Sequence, residues 1–228
     1  MKVFLASGNP NKIGEMQRIL AEHVGDIEVL GTGDIDGYVE PVEDQPTFEA
    51  NALLKARAGV AATGLPSIAD DSGLCVDALN GMPGVLSARW SGPPTLRDGS
   101  SLASSGTDGV SLRSSQDDRN NELLLAQLDD VPEERRGAHF TCAIAWVLPD
   151  GRERVVEGRM PGRIIREQRG SGGFGYDVVF VADEHAHEAD GQGLTSAELP
   201  AGEKDRISHR GRALRELAPY VAEDLSGG

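Results

Sequence analysis

An apolar start, Lys2-Val3-Phe4-Leu5-Ala6, runs directly into the polar stretch Ser7-Gly8-Asn9-Pro10-Asn11-Lys12. Beyond it, Ile13, Met16, Ile19 and Leu20 recur at helical spacing. Strand, polar loop, helix is the opening of an open α/β sheet. A second apolar stretch, Leu65 to Ala69, delivers Asp70 and Asp71 to a point where a strand is expected to end. Open α/β sheets hold ligands at such strand ends.

The rest of the chain fits the same class. Ile27 to Leu30 reads as a strand, and Phe48 to Thr63 as an Ala-rich helix opened by Thr47 and closed by Gly64-Leu65-Pro66. Leu74 to Leu79 reads as a further strand, followed by a turn at Gly81-Met82-Pro83-Gly84. Phe140 to Leu148 and Arg154 to Glu157 flank Pro149-Asp150-Gly151 as a hairpin, and Gly162 to Arg166 adds an edge. Val178 to Val181 reads as a strand, and the closing helix starts near Ser208. Residues 92–118 are mostly Ser, Gly, Asp, Thr and Pro, too poor in apolar side chains to offset the entropy of ordering, so a flexible surface insert is expected there. The helix after it starts at Asp117 or Asp118. The expected whole is a single two-lobed domain over residues 1–228.

Charge narrows the function classes. Asp+Glu total 37 against Lys+Arg 22, a net charge of −15 that repels nucleic-acid polymers and anionic lipid, and no basic patch is segregated from it. The cations that matter stand singly at Lys12, Lys55, Lys204 and Arg210, as a small-anion site would have them. Cys75 and Cys142 lie in apolar runs and suit reduced thiols. No apolar run approaches a membrane span and the N-terminus lacks a signal-type apolar region, so a cytoplasmic protein is expected.

Four clusters carry chemistry. Ser7 to Lys12 supplies backbone N–H groups, a hydroxyl, an amide and an ammonium at a helix start, all favouring a phosphate. Taken alone, this loop equally suits an ordinary capped helix, and neither a Walker A nor a dinucleotide fingerprint is present. Glu43, Glu49, Lys55, Asp70 and Asp71 form the second group, with Asn51 and Lys55 sharing a helix face at i,i+4. Adjacent carboxylates repel, so a cation is expected beside them, and Mg²⁺ on a polyphosphate fits. In Gly170 to Asp177, glycines permit close backbone approach, Phe174 is suited to stack on a base and Asp177 to accept hydrogen bonds. Glu203-Lys204 and Ser208-His209-Arg210-Gly211 gather the last cations at the final helix.

Taken together, six motifs resemble the inosine/xanthosine triphosphate pyrophosphatases. They are Ser-Gly-Asn-x-x-Lys, Thr-Phe-Glu-Ala-Asn-Ala-Leu-Leu-Lys-Ala-Arg, Ala-Asp-Asp-Ser-Gly-Leu, Gly-x-Pro-Gly-Val-x-Ser-Ala-Arg-Trp-Ser-Gly, Gly-Gly-Phe-Gly-Tyr-Asp and Glu-Lys-x-x-x-Ser-His-Arg-Gly-x-Ala-Leu, in that order over residues 1 to about 219. The resemblance implies an elongated mixed central sheet flanked by helices, two lobes with an active-site cleft between them, and a homodimer. It implies Mg²⁺-dependent hydrolysis of deaminated purine nucleoside triphosphates to the monophosphate and pyrophosphate. By the same resemblance, Ser7, Gly8, Asn9, Pro10, Asn11, Lys12 and Lys55 hold phosphates, and Asp71 is the catalytic acid. Ser72, Phe174, Gly175, Tyr176, Asp177, Lys204, His209 and Arg210 contact substrate, and Glu43 with Asp71 holds the metal, Glu49 being a competitor for the place of Glu43. The chain departs from the pattern in its longer 92–118 segment and in Val178, where the family usually has Pro.

Hydrolysis between the α and β phosphates needs an in-line water, cations over the leaving group, and a carboxylate that orients the water or holds the metal. Asp71 suits either duty. A donor from Arg210 or His209 to the C6 oxygen of hypoxanthine or xanthine would reject adenine, which presents a donor there. The rival readings are a pyrophosphatase for other modified nucleotides and a non-catalytic nucleotide sensor.

Overall fold

The computed structural model describes residues 1–92, 109–188 and 191–226. Its strands are β1 (Lys2–Leu5), β2 (Glu28–Leu30), β3 (Ser67–Val76), β4 (Gly137–Val147), β5 (Glu153–Ile164) and β6 (Phe180–Ala182). Its helices are α1 (Pro10–Ala21), α2 (Phe48–Thr63), α3 (Gly109–Gln127), α4 (Ala201–Ile207) and α5 (His209–Ser226). The strands form one sheet in the order β2-β1-β3-β4-β5-β6, with β1 parallel to β2 and β3, and β5 antiparallel to β6. This is the expected α/β class, a mixed sheet flanked by helices.

Two compact units divide the chain: Met1–Ser72, Thr141–Arg159 and Ile207–Gly228 form the first, Gly73–Phe140 and Met160–Arg206 the second. In the first, the period of two along a strand sorts the core. Val3, Leu5 and Ile68 face Met16 and Leu20 of α1 and Leu214 and Leu217 of α5. Phe4, Ala6 and Ala69 face Ala52 and Ala56 of α2. The small residues bring α2 close: a Cβ on Gly59 would lie 2.7 Å from the Phe4 ring. Thr47 Oγ1 caps α2 by accepting from the Ala50 N–H, and Gly64 ends it with φ of 67° in the left-handed region.

The connections from β1 to β2 and from β2 to β3 place β1 between its two parallel neighbours, so the strand order switches between β1 and β3. The crevice beyond the carboxyl ends of strands at such a switch is where ligands bind in this class of sheet. Phe4 and Leu5 pair with Ser67 and Ile68, so the Ser7 loop leaves β1 beside Ala69, Asp70 and Asp71.

The second unit buries Leu124 of α3, Leu128 just after it, Met160, Ile164, Val179 and Phe180. The Phe140 and Phe180 rings meet edge to face with centroids 4.7 Å apart. Arg136 is also buried, its guanidinium donating to the carbonyl oxygens of Leu128, Ile164 and Ile165.

Four boundaries differ from expectation. The strand holding Asp70 and Asp71 continues through to Val76. Gly73 within it serves close approach, since a Cβ there would lie 2.5 Å from the Gly84 carbonyl oxygen and from Ser87 Oγ. The expected Arg154–Glu157 strand and the Gly162 edge are one strand, β5. The strand expected from Val178 starts at Phe180, because Gly175–Val178 closes a 3₁₀ turn. α3 starts at Gly109, inside the segment expected to be a loop, because extending a helix already packed at Leu124 and Leu128 escapes the nucleation cost. Residues 93–108 of that expected insert lie outside the described residues. The α4 helix is too short for apolar periodicity to reveal.

Gly158 of β5 supports α5 at van der Waals distance: a Cβ there would lie 2.0 Å from the His209 carbonyl oxygen and 2.7 Å from the Ala213 nitrogen. Both are backbone atoms. Gly158→Ala is expected to cost about 3 kcal/mol, the upper range for overpacking. Urea unfolding checks it; a loss below about 0.5 kcal/mol, the scale of a neutral surface change, would show that α5 tolerates displacement.

Candidate active site

The first unit builds its site on the middle of β3. Strand alternation sends the side chains of Asp70 and Asp71 to opposite faces of the sheet. Asp70 follows Ile68 onto the α1 and α5 side, and Asp71 follows Ala69 onto the α2 side. The repulsion expected between sequence neighbours is therefore relieved by geometry, and each acid acquires its own partners.

Asp70 is buried and ion-paired. Lys12 Nζ, in the first turn of α1, donates to both its carboxylate oxygens at 2.9 and 2.8 Å, and Arg210 Nε of α5 donates to Oδ2 at 3.2 Å. Burial alone would raise its pKa, but Lys12, Arg210 and Lys55 reverse this and hold the carboxyl far below the usual range. Burial works against the charge of Arg210 as well, yet Asp70 and Glu15 raise its pKa above the ordinary value. Arg210 Nη2 also lies 3.4 Å from Ser72 Oγ.

Asp71 is held differently. Asn51 Nδ2 donates to its Oδ2 at 2.8 Å, and the Ser72 N–H donates to its Oδ1 at 2.9 Å. Both donors are neutral. Burial pushes its pKa up, and Glu43 adds to this, against the opposing pull of Asn51 and Lys55. Lys55, four residues after Asn51 on the same α2 face, donates to the Asp70 carbonyl oxygen at 2.5 Å and pairs with Glu43. Burial would discharge this ammonium, but Asp70 and Glu43 raise its pKa instead.

Ser7 Oγ accepts from the Asn9 N–H at 3.2 Å, which bends the loop into α1. Gly8 lies against Thr32, where a Cβ would meet Oγ1 at 2.9 Å. The side chains of Pro10 and Asn11 lie outside the described residues. Glu49 is exposed in the first turn of α2, whereas Glu43 is fastened to Lys55. Among the described residues no three His, Cys, Asp or Glu side chains gather around one point. A pair of carboxylates nevertheless fits Mg²⁺, which keeps several waters and takes further oxygens from phosphate. His209, half-buried, opens α5, whose start is capped by Ser208 Oγ accepting from the Gly211 N–H at 2.9 Å.

The second unit holds the remaining predicted residues. Asp177 Oδ2 accepts from the Phe174 N–H at 2.8 Å and from Lys204 Nζ at 2.5 Å. Lys204 Nζ also lies 5.3 Å from the Phe174 ring centroid. Phe174 is 64% exposed, unusually so for a large apolar side chain. Tyr176 is buried and donates its hydroxyl to the Ser87 carbonyl oxygen at 2.9 Å. The Gly175 peptide is gripped from α3: its N–H donates to Asp117 Oδ2 at 2.8 Å and its carbonyl accepts from Asn121 Nδ2 at 2.9 Å.

The structure thus brings Lys12, Glu43, Lys55, Asp71, Ser72 and Arg210 together in the first unit, and Phe174, Asp177 and Lys204 together in the second. Sequence reasoning underrated Asp70 and Asn51. Asn51 carried a usable signal in its i,i+4 spacing to Lys55; the Asp70 to Arg210 contact spans 140 positions and carried none.

Three cations and two differently held carboxylates thus gather at the switch point. The chain belongs to the Ham1 family, whose profile matches residues 3–220. A protein of Corynebacterium efficiens named dITP/XTP pyrophosphatase is 51% identical over 224 residues, 98% of each chain. A crystal structure of a nucleoside-triphosphatase / dITP/XTP pyrophosphatase from Mycobacterium abscessus is 48% identical, covers 96% of this chain and 100% of its own, and superposes with a TM-score of 0.71. A HAM1 protein structure from Coxiella burnetii is 34% identical, with a TM-score of 0.79 and coverage of 98% and 99%.

The two acids respond oppositely to neutralisation. Asp70, with its pKa lowered by folding, contributes stability that is complete above about pH 4 and lost as pH falls through the folded value. Asp71, with its pKa raised, opposes folding when charged, and this penalty fades as pH falls. Asp70→Asn is expected to lose about 3 kcal/mol at pH 7 by stranding buried cations, while Asp71→Asn loses none. Thermal and urea unfolding of both variants check this; the reverse order would refute the division.

Proposed function

We propose that this chain hydrolyses deaminated purine nucleoside triphosphates, those of inosine, deoxyinosine and xanthosine, to the monophosphate and pyrophosphate, cleansing the nucleotide pool. The observation that carries the reading is the split acid pair beside the Ser7 loop, in a chain about half identical to a protein named dITP/XTP pyrophosphatase. The cation is Mg²⁺, with Asp71 and Glu43 as its protein oxygens. When bound, it neutralises charge on the phosphates and polarises the leaving group.

The chain's own residues do the rest. Backbone N–H groups of the Ser7 to Lys12 segment not used within the chain, such as that of Gly8, receive phosphate oxygens, with Ser7, Asn9, Pro10 and Asn11 shaping the loop around them. Lys12 and Lys55, both beside Asp70, spread positive charge over the leaving pyrophosphate. Asp71, fixed by Asn51 and Ser72, keeps lone pairs on both oxygens to orient the attacking water. Ser72 and His209 contact the substrate beside it. Phe174 stacks on the base, with Gly175, Tyr176, Asp177 and Lys204 completing its contacts. A C6 oxygen accepts a donor from Arg210 or His209, and the C6 amino group of adenine leaves that donor unpaired. Among the described residues no helix is long and apolar enough to cross a membrane, and the net charge of −15 disfavours polymeric nucleic acid. A cytoplasmic homodimer completes the proposal, on the family resemblance.

Pyrophosphate release from dITP and XTP with Mg²⁺ is expected to exceed release from dATP by at least about 100-fold, the scale on which an unpaired buried donor discriminates. Equal rates would overturn the proposed specificity. Asp71→Asn is expected to lose at least about 100-fold in kcat while remaining folded. Arg210→Ala is expected to narrow the preference for dITP over dATP; proportional loss on both would assign Arg210 to phosphate alone.

A further inference from the structure

We infer that Asn51 is a positioning residue: its single buried amide, bonded at once to Asp71 and to the loop that carries Glu43, sets the spacing and orientation of the two oxygen donors offered to the divalent cation. The inference rests on the proposed reading of Asp71 and Glu43 as that pair.

Asn51 is fully buried in α2, one turn before Lys55. Its Nδ2 donates to Asp71 Oδ2 at 2.8 Å, and its Oδ1 accepts from the Gln45 N–H at 3.0 Å. Gln45 lies two residues after Glu43, in a loop whose neighbours Val42 and Asp44 are exposed. Two anchors on one helix face, Asn51 at Gln45 and Lys55 at Glu43, therefore fasten this acidic loop to α2. The helix is capped by Thr47 immediately after the loop. Glu43 and Asp71 are thus linked through Asn51 and Lys55 of one helix face.

The chemistry of the amide matters as much as its place. A carboxamide of this length supplies an NH2 donor group and a carbonyl acceptor in a single plane. Asp70, by contrast, is met by two cations that neutralise it. Asn51 immobilises the Asp71 carboxylate without cancelling its charge, which leaves that charge available to a cation. Outer partners that orient a metal-binding carboxylate in this way commonly influence affinity or activity by about 10–100-fold.

Three proteins test the role: wild type, Asn51→Leu, which removes both bonds while keeping the γ-branched shape, and Asn51→Asp, which keeps the acceptor for the Gln45 N–H but loses the donor to Asp71. Each is titrated calorimetrically with Mg²⁺ alone, assayed with dITP at saturating Mg²⁺, and melted by circular dichroism. Asn51→Leu is expected to bind Mg²⁺ about 10–100-fold more weakly and to lose kcat by a similar factor, with KM changed less than about threefold. Asn51→Asp is expected not to recover kcat. A purely structural staple predicts a lower melting temperature with Mg²⁺ affinity and kcat unchanged, and that result overturns the inference. Full kcat in Asn51→Asp also overturns it, by assigning Asn51 to the loop alone, and this variant decides if Asn51→Leu does not fold. If wild type releases no pyrophosphate yet binds Mg²⁺ in an Asn51-dependent way, the inference stands and the proposed activity falls.

Discussion

The buried charge of Asp70 is the constraint on which the first unit depends. A carboxylate removed from water on the middle of a strand must be compensated on all sides or neutralised. Compensation comes from Lys12 at the start of α1 and Arg210 at the start of α5, with Lys55 of α2 bonded to the Asp70 carbonyl oxygen. One acid therefore fixes the starts of two helices and the middle of a third relative to β3. The resulting group of cations is aimed by packing rather than by substrate.

Strand geometry turns two identical residues into two different tools. Within β3 the period of two gives Asp70 the face packed by α1 and α5 and Asp71 the face packed by α2. Cations neutralise the first; an amide and a backbone N–H hold the second with its charge unspent. Had the strand ended at the pair, as expected from the sequence, flexible backbone would have let both acids seek the same cations. Continuation through Gly73 to Val76 is what enforces the separation.

Much of this was legible in the residues. The strand, loop and helix opening, the Thr47 cap and the Gly64 terminator of α2 were readable because local chemistry dictates them. The site motifs were readable as residue types: Lys12, Glu43, Lys55, Asp70, Asp71 and Arg210 had been singled out, and the pairing of Glu43 with Lys55 was not visible in them. Close approach was not readable: Gly73, Gly158 and Gly162 each mark a point where another segment passes too close for a Cβ. Partnership was invisible wherever it depended on tertiary contact, as with Arg210 and Asp70, or Asn121 and Gly175.

In the proposed site the adjacent carboxylates serve separate purposes, Asp70 as a structural counter-ion and Asp71 as a cation-binding acid. Selective ¹³C labelling of aspartate carboxyl groups, with Asp70→Asn and Asp71→Asn used for assignment, reads both acids in one NMR titration. The account predicts that adding Mg²⁺ shifts the Asp71 resonance and leaves Asp70 in place. A Mg²⁺-dependent shift at Asp70, or none at Asp71, would contradict it.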